Sequence, residues 1–180
     1  MPNQPQPQQQ VLKGQIDEID KVDVETYDVA VTAAADTRDK WNPSNRETAD
    51  HSIPYVLAVV LTNGSLWLDD FTEERIRNAQ VHTLMQKIEV HKNEEYSKDY
   101  PEANPFRIEV VTRSGERHTR EIRYAKGHPK NPMTDHEIEA KFHRLAQPLL
   151  TPRRIDQILD RLWHLQEVQS LEKMLTLFEV

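Results

Sequence analysis

The chain has 180 residues, of which 37% are hydrophobic, and it carries a net charge of −7 at pH 7. This negative charge argues against a general binder of nucleic acid or of anionic membranes. Because the sequence contains no cysteine, it forms neither disulfide bonds nor a thiolate metal site.

The first residues, MPNQPQPQQQ, are of low complexity and offer no apolar face. We expect residues 1–14 to be a disordered Gln/Pro-rich tail. The segment has neither the charged start nor the apolar stretch of a secretory signal. The longest apolar run, VLAVVL, is too short to span a bilayer. We therefore expect a cytoplasmic protein, or a protein of the mitochondrial matrix if the source is eukaryotic.

The first half of the chain predicts a strand followed by short helices. Apolar and polar residues alternate from Ile19 to Val31, which is typical of a half-buried strand. Ser44, with Glu47 three residues later, has the spacing of a helix capping box. The stretch LDDFTEERIRNAQVHTLMQKIEV predicts two short helices, the first starting at Thr72.

The second half predicts three strands and then helices. The segments IEVHKN, FRIEVVTRSG and RHTREIRYAKG have strand patterns, and the turn RSGE joins the last two as a hairpin. Thr134 and Glu137 form the capping box of a helix that ends at Pro148. Thr151 and Pro152 start another, and SLEKMLTLF is a last short helix.

This order predicts an α+β fold, with a small antiparallel-rich sheet and packed helices. We assign residues 15–132 to the α+β domain and residues 133–180 to C-terminal helices. These helices carry more apolar surface than a small sheet needs, so we expect them to pack on another domain.

The stretch ADHSIPYVLAVVLTNG, residues 49–64, contains the first candidate site. Pro54 fits the first turn of a helix running from about Ile53 to Leu61, and Asn63-Gly64 fits its end. His51 and Tyr55 have the i, i+4 spacing of one helix face, although the proline places His51 before the helix proper. Tyr55 is either a core residue with its hydroxyl at the surface or a site residue, and His51 is either a cap or a site residue.

Two further patterns contain residue types that occur in catalytic triads and metal sites. Asp50-His51-Ser52 contains the residue types of a catalytic triad, but adjacent residues should not face one another, so we expect no triad. His136 and His143 lie seven residues apart without a third ligand, and His82 and His91 show no ligand pattern, so we expect no metal site.

The second candidate site is the loop YAKGHPKNP, residues 124–132. Lys126, His128 and Lys130 crowd beside a glycine and two prolines in an otherwise acidic protein. Such a stiff cationic loop can present positive charge to a polycarboxylate. The alternative is a rigid connector between the hairpin and the next helix, with exposed lysines.

Three separated blocks, ADHSIPYVLAVVLTNG, FTEERIRNAQV…LMQKIEV and YAKGHPKNPMTDHEIEAKF, resemble the C-terminal part of the 2-methylcitrate dehydratase (MmgE/PrpD) family. The resemblance covers roughly residues 15–178. Full members are more than twice as long, with a large all-helical domain on which the last helices of the α+β domain pack. It implies that the C-terminal helices dock on a helical domain that this sequence lacks.

The resemblance also implies a function. The family acts on small polycarboxylates next to a carboxylate, by abstraction of a proton and, in the dehydratases, loss of water, without a metal or organic cofactor. It places Tyr55 and His51 as catalytic residues at the pocket, and Lys126, His128 and Lys130 as substrate-binding residues. It further implies a homodimer and a role in propionate catabolism.

Several alternatives stay open. Family members also include cis-aconitate decarboxylase and an iminodisuccinate epimerase, and the sequence does not choose among these reactions. Most of the family's catalytic residues lie in the helical domain, so we expect this chain to be inactive by itself. From a different class, the chain is a truncated, non-catalytic interaction module.

Overall fold

The computed structural model describes residues 16–179, so the predicted disordered tail at residues 1–14 lies outside the described residues. The chain divides into two compact units, Met1–Ala125 and Lys126–Val180. Together they have the predicted α+β character. None of the helices in the described part of the chain is long and apolar enough to cross a membrane.

The first unit is built on a four-stranded sheet in the order β2-β1-β3-β4. Its strands are β1 (Ile19–Thr26), β2 (Ile88–Lys92), β3 (Phe106–Thr112) and β4 (Arg117–Ile122). β2 runs parallel to β1, whereas β3 and β4 pair antiparallel. Three of the predicted strands and the hairpin are thereby confirmed.

Short helices surround the sheet. Those described in the first unit are α1 (Asp28–Ala34), α2 (Arg38–Trp41), α3 (Arg46–Asp50), α4 (Ile53–Asn63), α5 (Glu73–Ile76), α6 (Ala79–Met85) and α7 (Glu94–Asp99). A 3₁₀ turn at Leu68–Phe71 follows α4.

The core of the first unit lies on one face of the sheet. Val22 and Val24 of β1 are fully buried, and they join a cluster that includes Tyr55, Ala58 and Leu84 from α4 and α6. Side chains alternate between the two faces of a strand. Asp23 and Glu25 therefore lie on the opposite face, which is only partly buried.

The structure corrects two predictions in this unit. The predicted strand from Ile19 to Val31 ends at Thr26, and the residues from Asp28 form α1 instead. The alanine-rich sequence DVAVTAA favours a helix, which explains the change. Asn45, rather than Ser44, caps α3: its side chain accepts the Thr48 N–H at 3.0 Å.

The second unit consists of helices: α8 (Asp135–Ala146), α9 (Pro152–Trp163) and α10 (Leu171–Leu175), with 3₁₀ turns at Leu165–Glu167 and Thr176–Phe178. The predicted capping box at Thr134 and Glu137 is confirmed. Ile155 and Ile158 are buried, as the apolar stripe of α9 predicts.

Candidate active site

The N-terminal end of α4 is fixed by local sequence. The Ser52 hydroxyl accepts the Tyr55 N–H at 3.1 Å and donates to the Lys40 carbonyl. Pro54 occupies the second helical position, where its missing N–H leaves no intrahelical bond unmade. Gly64, in the left-handed conformation, closes the helix by donating its N–H to Val60 at 2.8 Å. The helix predicted at this place is confirmed.

Tyr55 is completely buried, and its ring lies 6.0 Å from that of Phe71. Its hydroxyl donates to the backbone carbonyl of Asp70. Burial, followed by the nearby Asp70 carboxylate, raises the pKa of Tyr55 to about 12. The phenol therefore stays protonated at physiological pH, where it acts as a hydrogen-bond donor and not as a base.

The Asp70 carboxylate fixes the turn that holds this carbonyl. It accepts the Trp67 N–H at 2.8 Å and the Asn63 side-chain amide at 3.0 Å. The turn after α4 is thereby closed back onto the helix. In this chain the hydroxyl of Tyr55 ties the first turn of α4 to the turn that follows the helix.

A small cavity of about 10 Å³ lies beside Tyr55, with Asp70, Arg75 and Asn78 in its lining. This is roughly the space that one water molecule needs. It cannot hold a polycarboxylate. A larger cavity of about 850 Å³ in the second unit is lined by residues such as Asp160, Arg161 and Lys173, and by none of the predicted site residues.

His51 lies before α4, at the C-terminal cap of α3, so the i, i+4 geometry of one regular helix does not apply. Its side chain is 64% exposed. Nδ1 lies 3.1 Å from the Glu47 carbonyl and 2.5 Å from Asp50 Oδ1. Both partners are acceptors, so Nδ1 carries the proton and the neutral ring keeps its lone pair on Nε2. The Glu47 carbonyl, followed by Asp50, raises the pKa of His51.

The expectation that Asp50 and His51 do not face one another is wrong. His51 stands beyond the end of α3, where successive side chains are not held apart by helical geometry. Ser52 still completes no triad, because its hydroxyl is bonded to Lys40 and to Tyr55.

The cationic loop, from Lys126 onward, belongs to the second unit and folds around a tight turn. Gly127 has a φ of 97°, a left-handed conformation that favours glycine, and its N–H donates to the Asn131 carbonyl at 2.9 Å. His128 Nδ1 accepts the Lys130 N–H at 3.1 Å, so its proton lies on Nε2. The loop is thus ordered by its own backbone.

Lys126 in this loop is bonded to the next helix. Its Nζ lies 2.9 Å from Glu137 Oε2, which also accepts the Thr134 N–H at 2.8 Å. The Thr134 backbone N–H, followed by Lys126, lowers the pKa of Glu137 to about 2. Lys126 therefore stabilises the start of α8. This agrees with the alternative that the loop is a rigid connector between the hairpin and the next helix. The structure brings Lys126, His128 and Lys130 together in one loop, whereas His51 and Tyr55 belong to the other unit.

Sequence reasoning missed a third group of polar side chains on the sheet, Asp23, Glu89 and His91. Glu89 and His91 are two residues apart and so lie on one face of β2, which is a signal in the sequence. Their approach to Asp23 depends on the parallel register of two strands distant in sequence. No local pattern reveals that register.

The class of protein follows from the comparison with known families. The sequence model of the MmgE/PrpD C-terminal domain matches residues 7–165, and the chain therefore belongs to the MmgE/PrpD family. The resemblance of the three sequence blocks is thereby confirmed.

Curated relatives of known activity show the same relationship. The chain is 26% identical over 140 residues to cis-aconitate decarboxylase of Homo sapiens, covering 76% of this chain and 28% of the relative. It is 24% identical over 155 residues to that of Aspergillus terreus, covering 83% and 31%. It is 29% identical over 85 residues to the mitochondrial 2-methylcitrate dehydratase of Yarrowia lipolytica, covering 47% and 16%. The chain thus spans less than a third of these relatives.

Proposed function

We propose that the chain is the C-terminal part of a lyase that acts on small polycarboxylates, as a 2-methylcitrate dehydratase-like enzyme or as a cis-aconitate decarboxylase. The single observation that carries this proposal is the family match over residues 7–165. The names of the relatives supply the two reactions. The longer matches to the decarboxylases, over 140 and 155 residues, are the reason for keeping decarboxylation beside dehydration.

His51 supplies the proton-transfer group in this proposal. Both reactions need a group that moves a proton at a carbon next to a carboxylate. His51 is exposed, and Asp50 and Glu47 hold its Nδ1–H and leave Nε2 directed away from these partners. For Tyr55 the proposal requires that its protonated hydroxyl, which here donates to the Asp70 carbonyl, turns to the substrate in the complete enzyme.

Lys126 and Lys130 supply positive charge for the substrate carboxylates, and His128 contacts them through its imidazole ring. The chain as a whole is acidic, with a net charge of −7, so a polyanionic substrate needs a local group of cations. Lys126 already shares its charge with Glu137.

The isolated chain is expected to be inactive. The cavity beside Tyr55, at about 10 Å³, is far too small for a polycarboxylate. The chain also spans only 28% of the human relative. The proposal assigns the remaining wall of the pocket to the helical domain implied by the family resemblance, and the assembly to a homodimer.

The test joins this chain to the N-terminal region of the Aspergillus terreus relative, in place of that relative's own C-terminal part. Turnover of cis-aconitate and of 2-methylcitrate is then measured for the chain alone and for the chimera. We expect no turnover by the chain alone and turnover of one substrate by the chimera. A folded chimera that turns over neither substrate counts against the proposed lyase function. Full activity of the chain alone contradicts the proposal that part of the pocket belongs to a helical domain.

A second candidate function, a non-catalytic interaction module, is favoured by one observation. The second unit leaves large apolar side chains exposed, among them Leu149, Leu171 and Leu175. Large exposed apolar patches mark interaction surfaces. Light scattering and binding of an apolar dye test this candidate. A clean monomer that binds no dye removes it, and association of the chain together with an inactive, folded chimera supports it.

A further inference from the structure

Three metal-ligating side chains meet on the face of the sheet that the core helices leave partly open. β1 and β2 pair in parallel, with Asp23 opposite Glu89 and Glu25 opposite His91. Val22 and Val24 are buried in the core, so alternation directs Asp23 to the other face. Glu89 and His91 follow the same alternation on β2, and both are exposed.

The distances within this group have the dimensions of a metal site. His91 Nε2 lies 3.2 Å from Asp23 Oδ1 and 3.3 Å from Glu89 Oε2. Donor atoms of all three residues lie within 4.8 Å of one another. Around a tetrahedral zinc ion with bonds of about 2.0–2.1 Å, neighbouring ligand atoms are roughly 3.3–3.4 Å apart. The two separations lie close to these edges.

A cation is already drawn to the two carboxylates. Lys21 Nζ lies 2.9 Å from Asp23 Oδ2 and 3.0 Å from Glu89 Oε2. The lysine side chain is 41% exposed. It can therefore leave when a stronger cation arrives, because an exposed ion pair contributes little stability.

We propose that Asp23, Glu89 and His91 bind a divalent transition-metal ion, with Zn²⁺ as the best fit, and that Lys21 competes with the metal for the carboxylates. One imidazole nitrogen and two carboxylate oxygens favour zinc over Mg²⁺ or Ca²⁺, which prefer oxygen alone. Three protein ligands leave the fourth tetrahedral position to water. This site departs from the expectation of no metal drawn from histidine spacing, and it is independent of the proposed lyase activity.

The test is isothermal titration calorimetry, in which the 180-residue chain is titrated with Zn²⁺ as the single added ligand. We expect one saturable site at neutral pH. His91→Gln should weaken binding about 100-fold or more, because loss of a ligand costs more than the 10–100-fold typical of an outer-shell partner. Lys21→Met should strengthen binding about severalfold, since it removes a competing ammonium that forms weak, exposed ion pairs with both carboxylates.

The matched control is His118→Gln. His118 Nε2 lies 3.3 Å from Glu116, a comparable histidine–carboxylate pair, but it belongs to no three-residue donor group among the described residues. We expect this variant to bind Zn²⁺ within twofold of the parent, and circular dichroism verifies that both variants are folded. Absence of saturable binding, equal binding by His91→Gln, or equal affinity for Mg²⁺ overturns the proposal.

Discussion

Replacement of Tyr55 by phenylalanine tests the structural role of the buried hydroxyl. The hydroxyl donates to the Asp70 carbonyl across a turn that closes α4. Tyr55→Phe keeps the ring and its contact with Phe71 at 6.0 Å, so it opens no large cavity. It removes the donor from the half-buried Asp70 carbonyl, which costs about 1 kcal/mol of unfolding free energy.

Urea denaturation followed by circular dichroism measures this loss. The exposed Tyr100 provides the control, since Tyr100→Phe should change the unfolding free energy by less than about 0.5 kcal/mol. The folded state raises the pKa of Tyr55 from 10.0 to about 12. The contribution of the protonated phenol is therefore complete below pH 10 and is lost as the pH rises toward 12. Equal unfolding free energies of the two variants at neutral pH refute a stabilising role of the hydrogen bond from Tyr55 to Asp70.

Three further predictions concern the two candidate sites. The pKa of Glu137 is about 2 in the folded state against an ordinary 4.5, so its carboxylate stabilises the folded state above pH 4.5 and this contribution is lost as the pH falls toward 2. In acid denaturation, the difference in stability between the parent and Glu137→Gln should shrink over that range. A constant difference contradicts the pairing of Glu137 with Lys126. Asp50→Asn removes the second cause of the raised His51 pKa, so an NMR titration should show a lower pKa for His51 in the variant, and an unchanged value shows that the Glu47 carbonyl acts alone. Gly127→Ala forces alanine into a φ of 97° and should cost about 1 kcal/mol of unfolding free energy; a neutral effect in thermal melts contradicts the strained turn.

The predictable parts of the fold rest on signals within a few residues. Pro54 and Gly64 delimit α4, and Thr134 with Glu137 begins α8, because each works through bonds to its immediate neighbours. Local signals give a wrong prediction where one stretch fits both a strand and a helix. The alternation through Val29 fits a strand by period, but alanine-rich sequence after Tyr27 favours a helix.

The candidate sites were predictable only in part. The sequence singled out His51 and Tyr55, but it did not reveal that the Tyr55 hydroxyl bonds to a carbonyl fifteen residues away. Lys126 was expected to meet substrate, and its bond to Glu137 depends on how the loop turns back on α8. Asp23 and His91 meet through strand pairing across most of the first unit. Such contacts are set by the tertiary fold and leave no mark in local spacing.

The kinetics of His51→Gln in the active chimera test the central claim most directly. The matched control is His164→Gln, since His164 is likewise exposed and bonded through Nδ1 to a backbone carbonyl, at 2.8 Å from Asp160. Proton transfer by a positioned side chain contributes typically 10²–10⁴-fold. We predict that His51→Gln lowers kcat by about 100-fold or more while His164→Gln leaves it within twofold. Equal kcat values for the two variants contradict the assignment of His51 to the proton transfer.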